Sequence, residues 1–152
     1  LTIFGCLYLI FDKWIWDFRF LQKILLVPNL NGCWSVVGKT IKRDGIAVAT
    51  DWEAEIKIIQ SWCRISIILK TKQSDSRSLT ASIYRYKGEG FRLVYHYSNN
   101  PKPNETELNR HDGECDLMFT EDLKSASGQY FTDRDRLTVG TMNLKRKDTK
   151  NE

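Results

Sequence analysis

The amino-acid sequence predicts an all-β domain, an eight-stranded antiparallel up-and-down β-barrel preceded by an N-terminal helix. Three observations lead there. Apolar and polar residues alternate with a period of two from Leu30 to Lys147. Turn-forming residues recur about every ten positions, the spacing of a meander of short strands. A chain of 152 residues, 41% hydrophobic and 28% charged, has room for one core but not comfortably for two. Eight strands joined mostly by hairpins close most simply into a barrel, which removes exposed edges and leaves an interior for side chains or one small ligand. A two-sheet sandwich is the competing arrangement.

Residues Leu1 to Phe11 carry no charge. Spanning a bilayer takes about 20 apolar residues, and no basic region or small-residue cleavage site marks a signal peptide here. The stretch reads as the end of a transmembrane helix, or alternatively as a buried amphipathic helix. From Asp12 to Leu26, charges recur among aromatic and aliphatic residues, as in an interfacial helix. Trp14, Trp16, Phe18 and Phe20 suit headgroup depth, and Lys13, Arg19 and Lys23 suit anionic lipid. Pro28 disfavours helical geometry at Val27 and should end the helix. The expected division is a membrane-edge segment over 1–27, the barrel over 28–147 and a disordered tail over 148–152.

The first strand is expected from Leu30 to Ile41. A hairpin then joins Asp51–Ile59 to Trp62–Thr71 around Gln60-Ser61, pairing Ile58 with Cys63, Ile56 with Ile65, Ala54 with Ile67 and Trp52 with Leu69. A one-residue slip would bury the charges of the opposite face, so register is strongly specified. Ser78–Lys87 and Gly90–Ser98 form the next hairpin around Gly88-Glu89, with Tyr86 facing Phe91, Ser82 facing Tyr95 and Thr80 facing Tyr97. Asn99 to Arg110 reads as a polar loop. Gly113–Thr120 and Leu123–Thr132 pair Leu117 with Ala126 and Cys115 with Gly128. The last strand, Leu137 to Arg146, turns inward either Gly140, Met142 and Leu144 or Leu137, Val139 and Thr141.

Signatures of catalysis are missing from the sequence: there is no P-loop, no G-x-G-x-x-G, no G-x-S-x-G, no H-E-x-x-H and no paired metal-ligand spacing. We therefore expect no enzyme, no metal and no cofactor. Cys6, Cys33, Cys63 and Cys115 stand far apart, which suits a reducing compartment. Asp112, Glu114 and Asp116 alternate along one strand and suit a solvated outer face, as does His96. A formal net charge of +4 argues against a DNA or RNA polymer as partner and suits a ligand with one or two phosphates.

The strand entry Asn31-Gly32-Cys33-Trp34 resembles the G-x-W opening of lipocalin-type barrels, in which the tryptophan plugs one end. The opposite rim then gathers Thr40, Trp52, Thr71, Thr80, Tyr95, Tyr97, Tyr130 and Thr132 inward, with Lys39, Arg77, Arg134 and Arg136 in or beside its loops. Aromatic faces stack bases, hydroxyls bond base edges or ribose, and arginines take phosphate. The candidate ligand-binding set is Trp52, Thr80, Tyr95, Tyr97, Tyr130, Thr132, Arg134 and Lys39. The bland alternative is that the tyrosines and threonines simply fill the barrel.

Taken in order, a hydrophobic helix end, an aromatic-basic segment, "VPNLNGCWS" and a strand-rich region ending in "GTMNLKRK" resemble one family. It is the bacterial CBASS effectors, CD-NTase-associated proteins with two transmembrane helices and a β-barrel. Pro28, Gly32, Trp34 and Gly140-x-Met142-x-Leu144-x-Arg146 carry the likeness. It implies a barrel that faces the cytoplasm from the inner membrane and senses a cyclic dinucleotide, whose binding drives homo-oligomerisation and membrane disruption. A lipocalin-like carrier of an apolar molecule and a membrane-anchored structural adaptor are the alternatives.

Overall fold

The computed structural model describes residues 2–43, 45–105, 109–133 and 137–147. The described residues form two short helices and eight strands: α1 (Ile3–Lys13), α2 (Arg19–Leu25), β1 (Gly32–Arg43), β2 (Ile46–Gln60), β3 (Ile65–Lys70), β4 (Ser74–Tyr86), β5 (Gly90–Pro101), β6 (His111–Phe119), β7 (Ser125–Thr132) and β8 (Val139–Arg146). Every strand pairs antiparallel with its sequence neighbour, and β8 returns to β1, so the sheet closes into a barrel in strict chain order. The eight-stranded up-and-down barrel expected from the alternation is present.

Side-chain alternation places the core inside the wall. Trp34 is fully buried and its indole N–H donates to the Leu30 carbonyl at 3.2 Å. Phe119 meets it edge-on at a centroid distance of 5.0 Å, and the Arg146 guanidinium lies 5.2 Å from its ring centre. Ile56, Ile58, Ile67, Leu93, Leu117 and Leu144 complete this aliphatic half, so Trp34 plugs its end of the barrel as the sequence suggests.

The hairpins differ from expectation in instructive ways. Four residues rather than two connect β2 to β3, so Ile58 pairs with Ile67 and Ile56 with Leu69. The register differs by four residues, an even number, so the buried face is unchanged. β6 and β7 differ from expectation by two residues, again an even number, with Leu117 facing Gly128 and Cys115 facing Tyr130. The β4–β5 turn holds three residues, with Gly88 and Gly90 both at positive φ, and Tyr86 pairs with Gly90 instead of Phe91. That odd shift turns Ala81 and Ile83 toward the core and leaves Thr80, Ser82, Tyr84 and Tyr86 exposed. In β8 the buried set is Gly140, Met142 and Leu144.

The N-terminal segment is broken where a single helix over Asp12–Leu26 was expected. A 3-10 turn at Ile15–Asp17 separates α1 from α2, and Leu26 adopts a left-handed conformation at φ 56°. Trp16 is buried, whereas Trp14, Phe18 and Phe20 are exposed. Among the described residues, no helix is long and apolar enough to cross a membrane. Asp12 ties α1 to the β2–β3 loop: its carboxylate accepts from the Cys63 amide at 2.8 Å and the Ser61 hydroxyl at 2.9 Å. Its carbonyl accepts from the Trp62 amide at 3.0 Å, and Phe11 meets Trp62 edge-on. These bonds hold the Asp12 carboxyl below its ordinary pKa, the Cys63 amide acting most strongly. The tail over 148–152 lies outside the described residues.

Candidate functional site

At the end opposite Trp34, the barrel opens onto a cavity of about 200 Å³. Strand ends from all around the wall line it, because up-and-down connectivity brings alternate strand termini to one rim. Five of the eight candidate residues meet there: Trp52 from β2, Tyr95 and Tyr97 from β5, and Tyr130 and Thr132 from β7. Thr40 and Thr71, also placed at this rim from sequence, line it too.

The aromatic walls are seated on glycines. Trp52 pairs across the sheet with Gly38, Tyr97 with Gly113 and Tyr130 with Gly140. A Cβ at Gly38 would come within 2.1 Å of the indole, one at Gly113 within 2.6 Å of the Tyr97 hydroxyl and one at Gly140 within 2.5 Å of the Tyr130 ring. Each ring therefore lies flat over the bare backbone of the neighbouring strand and leaves the lumen open. Any larger residue at those positions would push the ring into the cavity.

Polar contacts fix the rings. The Tyr130 hydroxyl accepts from the Trp52 indole N–H at 3.2 Å and is hydrogen-bonded to the Thr40 hydroxyl at 2.8 Å, and the Trp52 and Tyr130 rings meet edge-on at 5.6 Å. Tyr95 and Tyr97 lie 6.1 Å apart in a tilted pair. Burial raises the Tyr95 hydroxyl pKa well above its ordinary value and pushes the Cys115 thiol beside it up to about 12, so both are neutral at physiological pH.

Other lining residues went unrecognised in the sequence. Ser74 and Ser76 open β4, four residues earlier than expected, Asn99 belongs to β5 where a loop was expected, and His111 opens β6 two residues before the expected strand. The Ser76 hydroxyl donates to the Asn99 side-chain carbonyl at 2.7 Å, both residues being buried. His111 Nδ1 lies 2.9 Å from the Asn109 carbonyl. A carbonyl only accepts, so the proton of this contact belongs to Nδ1. Arg43 and Thr138 also line the mouth. The available signal was faint, since Ser74-Asp75-Ser76-Arg77 alternates inward and outward but is polar on both faces.

Two candidates are not brought to the cavity, and a third is not among the described residues. The odd shift of β4 turns Thr80 outward, where it is exposed. Lys39 is also exposed on the outer face, between the buried Gly38 and Thr40. Arg134 lies outside the described residues. On the outer wall, Arg92 donates to both oxygens of Asp116, from Nη2 at 2.6 Å and Nε at 2.8 Å, and holds that carboxyl below its ordinary pKa.

The described lining is thus aromatic and hydrogen-bonding, with Arg43 as its cation and no acidic side chain. It can stack a planar ring, bond its edge through hydroxyl and amide groups, and attract an anion at the mouth. Comparison with known proteins agrees. The chain is 46% identical over 144 residues to CD-NTase-associated protein 15 of Yersinia aleksiciae, a match covering 95% of this chain and 67% of that protein. Residues 25–146, the whole barrel together with its lead-in from α2, match the family described as Cap15, cyclic dinucleotide receptor domain, and the chain belongs to that family.

Proposed function

We propose that this chain is the sensor part of a membrane-anchored CBASS antiphage effector, a binding protein rather than an enzyme. In this reading the barrel faces the cytoplasm and takes a cyclic dinucleotide at its open end. Binding drives self-association and disruption of the inner membrane through the segment led by α1. The observation that carries the reading is the cavity itself, in which Trp52, Tyr97 and Tyr130 stand beside Ser76, Asn99 and His111 with no acidic residue among the described lining.

Size and charge set the orientation of the ligand. The cavity of about 200 Å³ lies below the roughly 300–1,000 Å³ usual for small-molecule sites, so part of a dinucleotide stays outside. The neutral interior suits a base and its ribose. The phosphates belong at the mouth, beside Arg43 and the expected Arg134. A carrier of an apolar molecule would instead call for an aliphatic lumen, whereas seven Ser and Thr residues line this one.

Titration calorimetry of the folded chain against a panel of cyclic dinucleotides tests the reading. Saturable binding to at least one member is expected, and Tyr97→Ala should weaken it at least tenfold while leaving the circular dichroism of the barrel intact. Folded protein that gives no heat with any member would overturn it.

A further inference from the structure

The outer wall opposite the cavity lining carries an ordered pattern of its own. Phe131 and Val139 are cross-strand partners on β7 and β8, 47% and 38% exposed, and Leu137 beside them is 54% exposed. The ladder extends this row in both directions. Phe131 pairs with Glu114 of β6, and Val139 pairs with Lys42 of β1. One line across four strands therefore reads acidic, apolar, apolar, basic. The next line repeats the order at its basic end, with Gln129 and Thr141 at the centre and Lys39 on β1. At its acidic end stands Asp116, whose charge Arg92 already takes. Glu114, Lys39 and Lys42 are exposed.

We propose that this wall is a self-association surface that takes a second copy of the same chain. The charge order selects the occupant. When two copies face each other across a twofold axis parallel to the barrel axis, the left flank of one meets the right flank of the other. Glu114 of each copy then approaches Lys42 of its neighbour, no like charges oppose each other, and the apolar pairs meet at the centre. A twofold in that direction also leaves both α1 helices pointing the same way, as attachment to a single membrane demands. An axis perpendicular to the strands would point them apart.

The same strands join this surface to the cavity. Thr132 and Thr138, each next in sequence to a residue of the apolar pair, point inward and line the cavity mouth. A ligand held at the mouth would therefore bear on Thr132 and Thr138 from inside while the neighbour bears on Phe131 and Val139 from outside. This link rests on the proposed ligand site; the surface itself does not.

Sedimentation velocity of the full chain in mild detergent, across protein concentrations and with or without the cyclic dinucleotides, provides the test. A reversible dimer is expected, weakened by salt. Glu114→Lys and Lys42→Glu should each raise its dissociation constant by about tenfold, and the double exchange should restore it, a rescue that mere destabilisation would not give. A chain that stays monomeric under every condition, or a dimer indifferent to both exchanges, would overturn the proposal. Calorimetry on the same samples reads ligand binding separately: a binding-competent monomer would sink the surface and spare the sensor, and a ligand-blind dimer with rescue would do the reverse.

Discussion

Gly38 of β1 and Trp52 of β2 are cross-strand partners, and the indole covers the glycine so closely that a Cβ would fall 2.1 Å from the ring. Gly38→Ala should therefore act on the cavity rather than on the strand. Either the indole swings into the lumen or the sheet spreads, at a cost of roughly 1–3 kcal/mol. Urea denaturation should show the loss of stability, and ligand affinity should fall with it. Unchanged affinity would mean that Trp52 is not a wall of the site.

Tyr130→Phe keeps the ring over Gly140 but removes the hydroxyl that Trp52 and Thr40 both bond. The fold should survive with a loss of about 1 kcal/mol, the usual net worth of such a hydrogen bond. Because Trp52 loses its tether, cyclic dinucleotide binding should weaken more than stability does. Comparing the denaturation midpoint with the calorimetric affinity separates the two effects.

Asp12 holds the β2–β3 loop against α1 through Ser61 and Cys63. Replacing it by Ala should release that loop while leaving the closed barrel in place. Hydrogen exchange offers a direct readout: the amides of Trp62 and Cys63 should exchange faster in the variant, and those of β5 and β6 should not change. Equal acceleration throughout would point instead to global destabilisation.

The Arg92–Asp116 pair gives a pH signature of known sign. The folded carboxyl has a lowered pKa, so its contribution is fully present above the ordinary carboxylate range and disappears as pH falls below about 4. The side chains are 40% and 31% exposed, so solvent screening keeps the effect small. Asp116→Asn should lower stability slightly at neutral pH and flatten its acid dependence. Denaturation midpoints measured at pH 7 and pH 3 check both.

The closed end was far more legible in the sequence than the open one. Trp34, Ile56, Ile58, Leu117 and Leu144 are apolar residues at period two, and misplacing a hairpin by an even number of residues leaves their face unchanged. Turn length is a weaker signal, and the third residue of the β4–β5 turn was enough to send Thr80 to the wrong side. Trp52, Tyr95, Tyr97, Tyr130 and Thr132 could be found because they continue an apolar or aromatic alternation. Ser74, Ser76, Asn99 and His111 could not, because a strand that lines a wet cavity is polar on both faces and reads as loop. The glycine partners of the rings were equally hidden, since their meaning depends on the register of the neighbouring strand.

The short β3 gives the barrel one property of its own. It meets β4 only at Ile68–Arg77, Leu69–Ser76 and Lys70–Asp75, whereas the β4–β5 ladder runs the full length from Ser74 to Tyr86. Such a wall resembles a split ring: parting that one short seam would change its girth while the hoop elsewhere stayed whole. Leu69 and Ser76, partners at that seam, both border the cavity. On this side a bulky guest would press against three rungs rather than a full ladder.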